Sequence, residues 1–245
     1  MERNITKKVY KSIFIGLFSA FFLFSSLSFV ACGSTNVERT TKSKALKSYN
    51  KIKTGALDNG MDYYILENET PANRIYIRLI VRAGSNLEEE NEQGVAHFIE
   101  HLCFNGTKNF EKNDIVNYFE KIGMNFGSGV NAFTSFEQTV YMLECPADDP
   151  EIFKTSMQIL ADWAHAVSFE PEEIEKERGV VIEEWRTTSQ GITGRLSNFQ
   201  INDILKDSKH SERLPIGKPE IIKNISREEI LNFYKKWYRP DLMSV

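Results

Sequence analysis

The sequence predicts a layered α+β domain, an antiparallel or mixed sheet with helices packed on one face, behind an export leader. Three observations carry this reading. Short alternating segments come in pairs around residues 54–82 and 125–144, longer stretches with helical spacing separate and follow them, and a charged-then-apolar segment fills residues 1–32.

In the leader, Lys7, Lys8 and Lys11 precede an uncharged stretch over residues 13–30, and Ala31-Cys32-Gly33-Ser34 ends it. That order is a secretory signal. Phe29-Val30-Ala31-Cys32 resembles a bacterial lipobox, whose cysteine is lipidated and becomes the mature N-terminus, with Phe29 standing where Leu is usual. An ordinary signal peptide cleaved nearby and an uncleaved membrane span are the alternatives. All three put the body outside the cytoplasm, because the positive end stays inside. The expectation is therefore a lipoprotein anchored through Cys32 and facing the periplasm or the cell exterior. Residues 33–50 are polar and read as a flexible tether, and 51–245 as the folded body.

Within the body, Asp58-Asn59-Gly60 lies between residues 54–57 and the alternating 61–66, a hairpin signal. A further strand over 74–82 places Ile75, Ile77, Leu79 and Val81 on one face and Tyr76, Arg78 and Ile80 on the other. Helices are expected over 94–105 and 114–122, the second closed by Gly123. Residues 125–134 and 138–144 read as a strand pair, with Gly127 and Gly129 marking a loop or bulge. Helices follow over 149–166, from Pro171 through Arg186, over 195–205 and over 226–237, where Ser226 and Glu229 match a capping box. Residues 241–245 begin a strand at the end of the chain, as a fragment of a longer protein would.

Charge is divided unevenly. Residues 1–53 hold ten Lys and Arg against two acids; the remainder holds twenty against thirty-two. An acidic body excludes nucleic acid as the partner, because phosphate binding needs a basic surface. With Cys32 lipidated, only Cys103 and Cys145 remain. They do not make a disulfide framework and read as small buried hydrophobes, with a single bridge left open.

The chemistry is concentrated in His97-Phe98-Ile99-Glu100-His101. Each helical residue turns about 100°, so His97 and His101 share a face and their imidazoles can converge on one ion. Glu100 lies about 60° to the other side of His97, beside the ion, where a carboxylate can take a proton from a water activated by zinc. The Glu stands just before the second His, the reversed order of inverzincins. A hydrolytic zinc needs a third protein ligand. The segment Glu177-Arg178-Gly179-Val180-Val181-Ile182-Glu183-Glu184 offers candidates, and Glu177 and Glu184, seven apart, share a helical face with Ile174, Val181 and Trp185 nearby. His165 and His210 read as structural; Arg178 and Arg195 are candidates for substrate contact, against the commoner surface pairing of helical arginines.

These residues, with Phe104-Asn105-Gly106-Thr107, Asn131-Ala132-Phe133-Thr134-Ser135 and Glu137-Gln138-Thr139, occur in the order of the pitrilysin-type zinc metallopeptidases. That family includes insulin-degrading enzyme and mitochondrial processing peptidase. Arg213-Leu214-Pro215-Ile216-Gly217 and Phe233-Tyr234 through Arg239-Pro240 resemble its bacterial exported branch. The resemblance covers residues 50–245 and implies a zinc endopeptidase that binds one zinc per domain through His97, His101 and Glu184. It implies Glu100 as general base and Glu177 as a supporting carboxylate, with Glu183 outside the ligand set. Extended peptide substrate is expected along a sheet edge formed by Asn131, Ala132, Phe133 and Thr134, near an insertion at residues 126–129. Family enzymes resemble a clam of two halves, each of two related domains. The 245 residues match the first domain, so they are expected to bind zinc yet cleave weakly without the C-terminal half or a partner subunit of related fold. The competing reading is a catalytically silent, membrane-anchored binding or assembly subunit of the same fold. A structural zinc site is a third, disfavoured because such sites are usually closed by four ligands rich in Cys.

Overall fold

The computed structural model describes residues 49–124 and 127–245. The expected leader, its lipidation site at Cys32 and nearly all of the expected tether lie outside them, as do Asn125 and Phe126, and with Phe126 the start of the expected insertion.

Six strands form one mixed sheet in the order β1-β2-β6-β3-β5-β4. The Asp58-Asn59-Gly60 turn joins β1 (Lys53–Ala56) to β2 (Asp62–Ile65) as an antiparallel hairpin. Gly60 takes the positive φ of 90° that the turn needs. The sheet's centre is β3 (Arg74–Val81) paired antiparallel along its full length with β5 (Thr139–Pro146). β4 (Val130–Thr134) closes one edge against β5. The last strand, β6 (Met243–Ser244), is inserted between β2 and β3, parallel to one and antiparallel to the other.

One face of the sheet is buried, as alternation required. Ile77, Leu79 and Val81 of β3 and Tyr141, Leu143 and Cys145 of β5 belong to a single core, while Tyr76 on the opposite face is exposed. Eight helices are described: α1 (Val95–Leu102), α2 (Asp114–Lys121), α3 (Pro150–His165), α4 (Pro171–Gln190), α5 (Ile192–Ile204), α6 (Lys209–Glu212), α7 (Pro219–Asn224) and α8 (Arg227–Trp237). α1 packs against β4 and β5 on one side and against α4 and α8 on the other, and α3 lies on β5.

Most expected elements fall within a few residues of their bounds, and Ser226 with Glu229 forms the capping box. The differences are local. Residues 125–134 were expected as a strand with a loop or bulge at Gly127 and Gly129; the strand itself starts only at Val130, because Gly127 at φ +91° donates its N–H to Val130 O and turns the chain first. α4 runs on to Gln190, past Arg186, with the hydroxyls of Thr187 and Thr188 bonded back to Glu184 O. α5 starts at Ile192, three residues before Arg195. The short helices α6 and α7 were not anticipated, since four and six residues are too few for a periodicity to register. Residues 241–245 are half 3₁₀ turn (Pro240–Leu242) and half strand. Cys103 and Cys145 are both free and buried, so no bridge joins them.

Candidate metal and catalytic site

α1 carries the motif on an amphipathic helix. Val95, Phe98, Ile99 and Leu102 enter the core, and the helix turns His97, Glu100 and His101 toward a cleft of about 760 Å³. Its N-terminus is fixed by two devices. Glu88, fully buried, accepts hydrogen bonds from the N–H groups of Gly94 (3.0 Å) and Ala96 (2.9 Å), satisfying donors that no N-cap side chain reaches. Gly94 and Gly217 also pack backbone to backbone: a Cβ on Gly217 would lie 2.2 Å from Gly94 Cα, and both residues have positive φ. This contact brings the Pro215-Ile216 turn to the rim of the cleft.

The two histidines and one glutamate converge. His97 Nε2 lies 3.2 Å from His101 Nε2, and Glu184 Oε2 lies 3.3 Å from His101 Nε2 and 3.7 Å from His97 Nε2. Among the described residues these three are grouped closely enough to share one ion. The donor set and its spacing fit zinc, since ligand atoms 2.0–2.1 Å from a tetrahedral centre are about 3.3 Å apart. Both Nε2 atoms turn toward the same point beside Glu184 Oε2, the side from which an ion would be held. His97 Nδ1 is buried and meets no partner among the described residues, so its Nε2 is the atom in play.

Glu177, two helical turns before Glu184 on α4, sits behind His101 and not in the donor set: its Oε1 accepts from His101 Nδ1 at 2.8 Å, and its Oε2 accepts from Asn105 Nδ2 at 2.6 Å. Glu183 points outward and pairs with Arg186 at 2.8 and 2.6 Å. Glu100 is buried, and its Oε2 accepts from Thr134 Oγ1 at 2.6 Å. Burial pushes the Glu100 carboxyl above its ordinary range, with the Thr134 hydrogen bond opposing. Burial pushes His97 down to about 4, helped by the neighbouring His101. For His101 burial acts in the same sense, but hydrogen bonds to Glu177 and Glu184 outweigh it and raise it to about 9.

β4, with Asn131, Ala132, Phe133 and Thr134, forms the edge of the sheet and one wall of the same cleft. Sequence reasoning did not foresee that the Thr134 hydroxyl reaches Glu100, nor that Asn105 reaches Glu177. Both lie in motifs that had been singled out, but nothing in spacing reveals a contact between separate elements. Arg178 neither lines the cleft nor lies on the surface as expected, its side chain being largely buried. It binds the carbonyls of Ile222 and Ile225 and stacks over Phe98, tying α4 to α7 and to the back of α1. His165 is exposed at the end of α3, and His210 contacts Glu137 and meets Phe136 edge to face, both away from the cleft.

A family model described as insulinase (peptidase family M16) matches residues 63–210, which include both histidines, Glu100, Glu177 and Glu184. The chain belongs to the insulinase family, peptidase family M16. Among curated members it is 41% identical over 194 residues to the probable zinc protease PqqL of Haemophilus influenzae, covering 79% of this chain and 21% of that one. Against the Escherichia coli probable zinc protease PqqL the identity is 38% over 200 residues, covering 82% and 21%. The crystal structure of the periplasmic protease PqqL from Escherichia coli superposes with a TM-score of 0.79 at 37% identity, covering 81% of this chain and 22% of that chain. These relatives are zinc proteases by name, and the chain spans about a fifth of the length of those it matches. Among the described residues no helix is long and apolar enough to cross a membrane.

Proposed function

We propose that this chain is the zinc-peptidase domain of an exported endopeptidase acting on peptides or unfolded segments, with His97, His101 and Glu184 holding one zinc ion. The observation that carries the reading is the convergence of those three donors in one cleft with a separate buried carboxylate, Glu100, beside them. When bound, zinc supplies Lewis-acid polarisation and lowers the pKa of water to about 7. Glu100 is the general base: its raised affinity for protons suits a group that takes one from the attacking water and returns it to the leaving amine. The Thr134 hydroxyl holds that carboxylate at one oxygen. Glu177 orients His101 through Nδ1, the outer-shell arrangement by which metal-binding imidazoles are aimed.

The β4 edge, with Asn131, Ala132, Phe133 and Thr134, binds extended substrate as an added strand. Backbone pairing of that kind tolerates many sequences. Because the relatives are about five times longer than the matched segment, substrate grip from the C-terminal half or a related subunit is part of the working enzyme, and these residues alone turn over weakly. The leader at 1–32, the lipid anchor at Cys32 and the tether at 33–50 place the domain at 51–245 on the outer side of a membrane. The periplasmic location named for the Escherichia coli relative agrees with export.

Zinc stoichiometry of the full chain tests the reading, beside Glu184→Gln and Glu100→Gln. One zinc in the wild type, weakened in Glu184→Gln and kept in Glu100→Gln, supports the assignment of ligand and base. A folded wild type without zinc would refute it and leave a silent binding subunit as the better account. Robust peptide turnover by the 245-residue product would overturn the requirement for a second half.

A further inference from the structure

Glu177 is itself held in place. It is a largely buried side chain, 14% exposed, whose two oxygens are both engaged, Oε1 by His101 Nδ1–H and Oε2 by the Asn105 amide. A carboxylate gripped at one oxygen can still pivot about its last torsion; gripped at both, its plane is set, and with it the ring it supports. Asn105 stands just past the end of α1, its N–H bonded to Leu102 O. The loop it opens is stapled to α3. Asp162, fully buried, accepts from Thr107 Oγ1 (2.6 Å), Asn109 N (3.1 Å) and Asn109 Nδ2 (2.8 Å). Lys108 N–H bonds Ala166 O and Ser168 N–H bonds Gly106 O, so the loop is held at both ends of its turn.

We propose that Asn105 is a positioning residue for the metal site, acting through Glu177 to fix the plane of the His101 ring. The chain of contacts runs from Asp162 through the loop of residues 105–109 to the Asn105 amide, then to Glu177 and His101 Nδ1, so the Nε2 lone pair stays aimed at His97 and Glu184. An amide suits this place. It donates to a carboxylate without adding charge, whereas an acid at 105 would repel Glu177 and an apolar residue would leave Oε2 buried without a partner.

This inference rests on the zinc reading above, and its test separates the two. Zinc affinity of the full chain is measured by competition with a colorimetric chelator for wild type, Asn105→Asp, Asn105→Leu, Glu177→Ala and the two double variants, with circular dichroism confirming fold. Asn105→Leu keeps the branched shape and adds no charge, so a residue that merely packs there would leave affinity unchanged, while Asn105→Asp adds repulsion at Glu177 Oε2. The expected result is about tenfold weaker binding for Asn105→Asp, the low end of the 10–100-fold range for outer-shell partners. A smaller loss is expected for Asn105→Leu, and no further loss from either change once Glu177 is Ala. Cobalt in place of zinc should show altered visible bands in Asn105→Asp and Asn105→Leu relative to wild type. Wild-type affinity in either Asn105 variant, or an undiminished loss in the Glu177→Ala background, overturns the role of Asn105 alone. No metal on the folded wild type overturns this inference and the zinc reading together.

Discussion

Two imidazoles one helical turn apart sit in opposite states of readiness for a metal. His97 is held down to about 4 by burial and by its neighbour, so it is neutral through the physiological range. His101 is buried too, but its bonds to Glu177 and Glu184 raise it to about 9. Below that pH a metal must displace one proton, from His101 and not from His97. The logarithm of zinc affinity should therefore rise with pH at a slope of about one between pH 6 and 8, measured by chelator competition across buffers. A slope near two would mean that both rings carry protons and that the environment of His97 is misread. Glu88 makes a second residue-scale prediction. Burial pushes it up to about 8 from an ordinary 4.5, against the pull of the Gly94 and Ala96 N–H groups. The folded state then binds a proton that the unfolded chain has lost between those values, so this group's contribution to stability falls as pH rises from 4.5 toward 8. Denaturant melts of wild type and Glu88→Gln over that window should differ in slope, the variant lacking the share of the fall that Glu88 contributes.

At the scale of elements, the position of α1 depends on contacts that leave no room. Gly217→Ala would drive a Cβ into Gly94 Cα while forcing a non-glycine residue to φ +70°. The expected cost is roughly 2–4 kcal/mol, combining overpacking with left-handed strain, read as a lowered urea midpoint, and zinc affinity should fall with it because the Pro215-Ile216 turn and the helix N-terminus shift together. A neutral Gly217→Ala would show that the two loops can part freely. Far from the cleft, Ser226→Ala removes one half of the capping box of α8 and should cost about 1 kcal/mol without touching zinc. The contrast between the two variants separates damage to the site from damage to the fold.

At the scale of the molecule, metal and fold are linked. A ligand that binds only the folded chain stabilises it by mass action, about 2.7 kcal/mol at a hundredfold excess over its dissociation constant. For a domain of this size that is a rise on the order of 5–10 °C in Tm. Thermal melts with and without zinc should show the rise in wild type, and Glu184→Gln should lose most of it. The outer surface tells a different story. α5 buries none of its residues, and Ile192, Leu196, Phe199 and Ile204 stand more than half exposed. Its helical spacing could be read from the sequence, and among the described residues nothing covers that apolar face.

The sequence by itself determined the layered class, most element bounds and the convergence of His97 and His101, because periods of 2 and 3.6 residues and an i, i+4 spacing are local geometry. It narrowed the candidates for a third donor to one face of α4 and, through family likeness, to Glu184, the carboxylate that the structure brings beside the two imidazoles. Tertiary structure alone decided the rest. β6 lies between β2 and β3, Thr134 meets Glu100, Asn105 meets Glu177, and Glu88 caps a helix six residues away with Arg213 bonded to its backbone. Each of these joins segments whose separation in sequence carries no period, so only packing, where a buried polar group must find a partner and a core must exclude empty space, selects them.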